Sequence, residues 1–133
     1  MHTIHIEWKH LDLEHGTCLR CSKTGKTLHE VITELKMELQ PKNVNISFTE
    51  TKLSEEQIHQ SNMILINGSP LERILSGAEA GETYCASCSC LTGKENYCRT
   101  IKYNGETFEE IPEILIRMAV LKILQINDKV SNI

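Results

Sequence analysis

Cys18 and Cys21 are separated by Leu19 and Arg20. Two thiols at that spacing on the first turn of a helix close a small disulfide and can reopen it. The unpaired N–H groups of a helix N-terminus point at the leading sulfur and favour its thiolate. Cys18 is therefore read as the attacking thiol and Cys21, one turn further in, as the resolving thiol. Arg20 supplies a positive charge that favours the Cys18 thiolate, and His10 and His15 lie just upstream. Two other readings of the pair stand beside this one: half of a metal site, or two reduced thiols with no chemistry.

A second cluster, Cys85, Cys88, Cys90 and Cys98, places four soft ligands within 14 residues. Four thiolates suit tetrahedral zinc or an iron–sulfur cluster. The spacing departs from two separated C-x2-C knuckles, and Cys88-x-Cys90 is tight for one ion. Disulfides, or a second redox pair at Cys85 and Cys88, are the other reading. Residues 77–98 are rich in Gly, Ser, Thr and Cys and poor in large apolar side chains. Burial alone cannot order such a segment, because each ordered residue costs about 1 kcal/mol or more. At least two of these cysteines are expected to be joined by a disulfide or a metal ion.

The elements that must position these thiols follow from hydrophobic period. Ile4, Ile6 and Trp8 alternate with His5, Glu7 and Lys9, which predicts a strand; Leu28, Val31, Ile32, Leu35 and Leu39 fall on one helical face that Pro41 closes. Val44, Ile46 and Phe48 predict a second strand, Ser54-Glu-Glu-Gln57 a capped short helix, and Met63–Ile66 a central strand ended by Asn67-Gly68. Leu71 to Leu75 is a helical turn. Gly77 to Cys98 is read as an irregular insertion, after which Thr100 to Tyr103 resumes a strand that Asn104-Gly105 turns. A helix from Pro112 to about Ile126 is apolar over more than one face. Part of that surface, among Ile116, Val120 and Ile123, is expected to stay uncovered in the monomer and to pack in a homodimer. The order predicts an α/β fold. Its mixed four-stranded sheet holds the segments near Ile4, Ile46, Ile64 and Ile101, with helices on both faces and the insertion before the last core strand.

The 133 residues are read as a single domain, 1–133, large enough for a core without staples. A net charge of -4 argues against a nucleic-acid partner. No run of about 18 apolar residues is present, so no membrane span is expected. Met1 to Trp8 has neither a basic start nor an apolar signal core, so a cytoplasmic location is expected. There cysteine clusters serve metal or redox chemistry more than structural disulfides. Thr24-Gly-Lys-Thr27 lacks the first glycine of a phosphate-binding loop, because position 20 is Arg20, and is set aside.

Trp8-Lys-His-Leu11, Thr17-Cys-Leu-Arg-Cys21, Ser61-Asn-Met-Ile-Leu-Ile-Asn-Gly68, Cys85-Ala-Ser-Cys88 and Cys98-Arg-Thr100 together resemble the shared blocks of an uncharacterised family of small prokaryotic thioredoxin-like proteins, a domain of unknown function. The resemblance runs from about Ile4 to Leu124 and implies a thioredoxin-like fold without an assigned activity. Two departures from active thioredoxins stand out. Leu19-Arg20 replaces Gly-Pro between the cysteines, and Ser61-Asn62 stands where a cis-proline faces the pair. The expected function is thiol–disulfide exchange with a protein or small thiol/disulfide substrate. The alternative is soft-metal binding through the insertion.

Overall fold

A computed structural model of the chain describes residues 2–12, 19–84 and 97–131. Cys18, Cys85, Cys88 and Cys90 lie outside the described residues, as do the side chains of Arg20 and Cys98.

The first strand, β1 (His2–Leu11), buries Ile4, Ile6, Trp8 and His10 on one side. Helix α1 (Leu19–Leu39) carries the chain to β2 (Val44–Leu53), which pairs in parallel with β1 along its whole length, Ile4 opposite Ile46 and Leu11 opposite Leu53. A 3-10 turn over Gln40–Lys42 contains Pro41 and ends at Asn43, whose left-handed backbone lets its N–H donate to the Gln40 carbonyl. A second 3-10 turn, Glu55–Gln60, is capped as the sequence suggests: the Ser54 N–H donates to Gln57 Oε1. Ser61 and Asn62 then lead into β3 (Met63–Ile66), antiparallel to β1, with Trp8 opposite Ile64.

Asn67 and Gly68 both have positive φ, 51° and 83°, and turn the chain directly into β4 (Ser69–Pro70). The strand order is β2-β1-β3-β4. A short helix, α2 (Leu71–Ile74), leads to a second sheet of β5 (Ala78–Tyr84), β6 (Tyr97–Tyr103) and β7 (Glu106–Phe108). The turn between β6 and β7 is Asn104-Gly105, again with two positive φ values. Two left-handed residues in succession match the twist of a hairpin, which is why Asn-Gly serves at both places. The last element is α3 (Glu113–Ser131).

Four expectations are corrected by the structure. The segment around Ile101 is not the fourth strand of the main sheet. Both edges of β6 are taken, by β5 and β7, and the free edge of β3 is taken by β4. The insertion is not irregular throughout, because Ala78–Tyr84 is a strand. Its residues are mostly exposed, and it is held by pairing with β6 over seven positions instead of by its own burial. Ile116 and Val120 are fully buried and Ile123 is half-buried, so they are not an uncovered face. Much of the apolar surface of α3 is used within the chain, where α3 packs against α1, α2 and β3, while Ile114 and Leu121 stay exposed.

Both long helices pack on the side of the sheet that carries Ile4, Ile6, Ile46, Ile64 and Ile66, instead of one on each face. The opposite side holds His5, Glu7, Ser47 and Thr51, half-buried and hydrogen-bonded in pairs: His5 Nδ1 to Ser47 Oγ at 2.7 Å, and Thr51 Oγ1 to Glu7 Oε2 at 2.6 Å. Such a polar surface gains nothing from a helix laid over it. Arg117 on α3 joins the helices by bonding Glu34 and Glu38 of α1 as well as Glu113 one turn before it. These carboxylates hold its guanidinium charged well beyond the usual range. No described helix is long and apolar enough to cross a membrane.

The buried stripe of α1 is Cys21, Thr24, Gly25, Leu28, Val31, Ile32, Leu35 and Leu39. Gly25 lets the helix descend onto β1. A Cβ at that position would lie 2.9 Å from Cζ3 and 3.1 Å from Cζ2 of Trp8, and closer still to Cη2. Helix propensity alone favours alanine over glycine by about 1 kcal/mol. Overpacking a rigid indole costs about 1–3 kcal/mol and more when backbone must shift. Gly25→Ala is therefore expected to lower the melting temperature by several degrees. Thermal unfolding followed by circular dichroism checks the sign, which an exposed helical glycine would reverse.

Candidate functional site

Cys21 is the third residue of α1 and is 0% exposed. Its Sγ lies 3.2 Å from Ser61 Oγ, which is equally buried. The Leu11 N–H donates to the same hydroxyl oxygen at 3.2 Å. Three elements therefore meet at one atom: the end of β1, the first turn of α1 and the entry to β3.

Asn62 extends the contact. Its backbone is left-handed, with φ 65°, a conformation that Asn tolerates better than most residues. The Trp8 Nε1–H donates to its Oδ1 at 3.3 Å, and its Nδ2 donates to Thr24 Oγ1 at 3.0 Å and to the Glu109 carbonyl at 3.4 Å. Thr24 Oγ1 also accepts the Ile111 N–H at 3.1 Å. Thr24 is one helical turn after Cys21, so the helix face that carries the sulfur also anchors the strap from Glu109 to Ile111, just before α3. Thr24-Gly25, set aside as a phosphate loop, is thus a packing and hydrogen-bonding device.

His10, only 3% exposed, stacks on Trp8 with ring centroids 3.9 Å apart and planes 18° from parallel. Its Nδ1 lies 3.2 Å from the Leu11 carbonyl and its Nε2 lies 2.5 Å from Glu50 Oε1. A carbonyl can only accept, so Nδ1 carries a proton.

The structure brings Cys21 together with Ser61, Asn62, Thr24 and Trp8. It assigns Arg20 to the first turn of α1 and Cys98 to β6, opposite Thr83. Among the described residues no group of three or more His, Cys, Asp or Glu is arranged to hold a metal. Beside Asn62, between β3, β6 and Ile111, lies a void of about 10 Å³, room for one water molecule and too small for an organic ligand. The Arg99–Glu72 ion pair, 2.5 Å and largely buried, closes its side.

The site was partly visible in the hydrophobic periods. His10 falls on the inward register of Ile4, Ile6 and Trp8, and Thr24 falls on the helical stripe between Cys21 and Leu28. A polar residue on an apolar period is the signal of a buried polar partner.

The family model described as "Domain of unknown function (DUF2703)" matches residues 4–120. The chain belongs to this family. The matched segment contains Trp8, Cys21, Thr24, Ser61, Asn62 and the strap to Ile111, so the DUF2703 unit includes the whole buried cluster. A relative from Archaeoglobus fulgidus, carrying the name "Uncharacterized protein", is 32% identical over 115 residues, covering 84% of this chain and 80% of its own. No solved structure matches.

Thr24→Val keeps the side-chain volume but leaves the Ile111 N–H and one Asn62 N–H without their acceptor. A buried orphaned donor costs about 1–3 kcal/mol. Thr24→Val is expected to destabilise the protein by that order, and Thr24→Ser, which retains the oxygen, by clearly less. Urea unfolding followed by fluorescence of Trp8, the only tryptophan, measures both. Equal losses for the two variants would show that packing matters there and the hydroxyl does not.

Proposed function

We propose that the chain is a thioredoxin-like thiol–disulfide redox protein that works through Cys18 and Cys21. The observation that carries the reading is the place of Cys21. It sits on the first turn of the helix that joins two parallel strands, fully buried, with its sulfur against a hydroxyl from the residues before an antiparallel third strand. The strand order β2-β1-β3-β4 supports the same reading. A cysteine kept only for packing needs no hydroxyl at its sulfur.

In this mechanism the Cys18 thiolate attacks a substrate disulfide. A Cys18–substrate bond forms, and one substrate sulfur leaves as a thiolate. The Cys21 thiolate then attacks the Cys18 sulfur, closing the Cys18–Cys21 disulfide and expelling the second substrate thiol. Both electrons pass to the substrate, and an external dithiol restores the reduced pair. Arg20 favours the Cys18 thiolate. The substrate is a protein or a small disulfide.

Soft-metal binding by Cys85, Cys88, Cys90 and Cys98 is the second reading, and strand register favours it. Tyr84 pairs with Tyr97, their rings 6.0 Å apart and edge to face. The ribbon is thus paired up to Tyr84 and Tyr97, and Cys98 lies on its β6 strand, opposite Thr83. A short span whose ends are already joined needs little further loss of entropy to be cross-linked.

Cys21→Ser is expected to accumulate a stable mixed disulfide on Cys18 when the reduced protein meets a model disulfide substrate, and Cys18→Ser is expected to show no turnover. Peptide mass spectrometry after acid quenching identifies the adduct. Turnover that survives Cys18→Ser would end this reading and leave the metal reading, which zinc and iron analysis of the purified protein then decides.

A further inference from the structure

We propose that the Ser61 hydroxyl is a catalytic group of the thiol–disulfide couple: it donates a hydrogen bond to the Cys21 sulfur and stabilises its thiolate whenever the Cys18–Cys21 bond opens or closes. This rests on the redox reading of Cys18 and Cys21. Ser61 Oγ and Cys21 Sγ are 3.2 Å apart, in residues that are both 0% exposed. Creating a negative sulfur there is costly unless a hydrogen-bond donor is already aimed at it. A hydroxyl has one proton and two lone pairs. The Leu11 N–H occupies one lone pair at 3.2 Å and helps to fix the oxygen. One proton and one lone pair remain for the sulfur. Ser61 donates to a Cys21 thiolate or disulfide sulfur, and accepts from a Cys21 thiol. The same atom serves both redox states without moving.

In ring closure the Cys21 thiolate attacks the Cys18 sulfur of Cys18–S–S–R. The Cys21–Cys18 bond forms, the Cys18–SR bond breaks, and the electron pair leaves on R–S⁻. That thiolate takes up, through solvent, the proton that Cys21 lost. Ser61 keeps its own proton throughout. Ring opening by an external thiol is the reverse, with Cys21 leaving as a thiolate onto the same donor. The hydroxyl thus lowers the barrier in both directions by stabilising charge that exists only during exchange.

The full chain, reduced, is mixed with glutathione disulfide and quenched in acid. Peptide mass spectrometry then follows the Cys18–glutathione adduct and the Cys18–Cys21 disulfide over time and pH. A hydrogen bond to a charged group corresponds to a rate factor of roughly tenfold or more. Ser61→Ala is expected to slow ring closure by about that factor and to move its pH profile to higher pH, while adduct formation on Cys18 is unchanged. Ser61→Thr, which keeps the hydroxyl, is expected to restore the profile. A purely structural role would lower the melting temperature without moving the profile. Should Ser61→Ala not fold, the infrared S–H band of reduced wild-type protein, assigned by subtracting Cys21→Ser, decides. A Cys21 band shifted from that of a thiol in water supports the contact, and an unshifted band overturns it. Wild-type closure with Ser61→Ala unchanged at every pH defeats the role of Ser61 alone. Wild-type protein that forms the adduct but never the Cys18–Cys21 disulfide defeats the redox reading and this inference with it.

Discussion

The close approach of α1 to β1 at Trp8 and Gly25 is the constraint from which the rest of the site follows. The outer edge of the Trp8 ring comes this close to a helix only where a residue without a side chain faces it. Glycine in a helix interior costs about 0.5–1 kcal/mol relative to alanine, whereas burying an aromatic side chain returns about 1.5–3 kcal/mol. The balance favours the glycine. With that separation set, Cys21, one turn before Gly25, lies low enough to lose all contact with solvent. Thr24 comes within reach of Asn62, and Asn62 within reach of the indole nitrogen.

What results is a polar core inside an apolar one. A buried hydrogen-bonding group is tolerated only when its partners are present, and here they come from β1, α1, the entry to β3 and the strap before α3. The network therefore couples elements distant in sequence: Thr24 to Ile111 spans 87 positions and Trp8 to Asn62 spans 54. Loss of one member leaves several others unsatisfied, so the cluster specifies one arrangement of strands and helices more strongly than its apolar surroundings do. His10, stacked on the same indole, adds a contact to Glu50.

The sequence made much of this architecture legible. The alternation Ile4-Ile6-Trp8, the apolar run Met63–Ile66 and the Asn-Gly pairs each correspond to elements found where period and turn chemistry put them. Other features were not legible, for identifiable reasons. The first turns of α1 bury cysteine, threonine and glycine, so the helical stripe has no large apolar residue before Leu28. Strand β5 is held by its neighbour, and its residues alternate too weakly to announce it. The covering of Ile116 and Val120 depends on three elements meeting α3, which no local pattern records. Within the site, the cysteine spacing was visible at once, but the partners of Cys21 are polar residues whose inward orientation is a tertiary fact.

Ser61 and Asn62 at the entry to β3 do what a proline there could not. Proline fixes φ near -65°, whereas Asn62 has φ 65°. The two residues cannot occupy this position with the same backbone. Entry into β3 through a left-handed asparagine allows its side chain to bridge Trp8 and Thr24 while the Ser61 hydroxyl meets the Cys21 sulfur. A proline at position 62 would offer no side-chain donor to Thr24 and no acceptor to the indole. It would also turn the preceding residue toward an extended backbone. A proline at this entry would therefore change how the Cys21 sulfur is attended. Where a proline would present a rigid apolar wall, this chain presents a hydroxyl that a main-chain N–H holds in register with it.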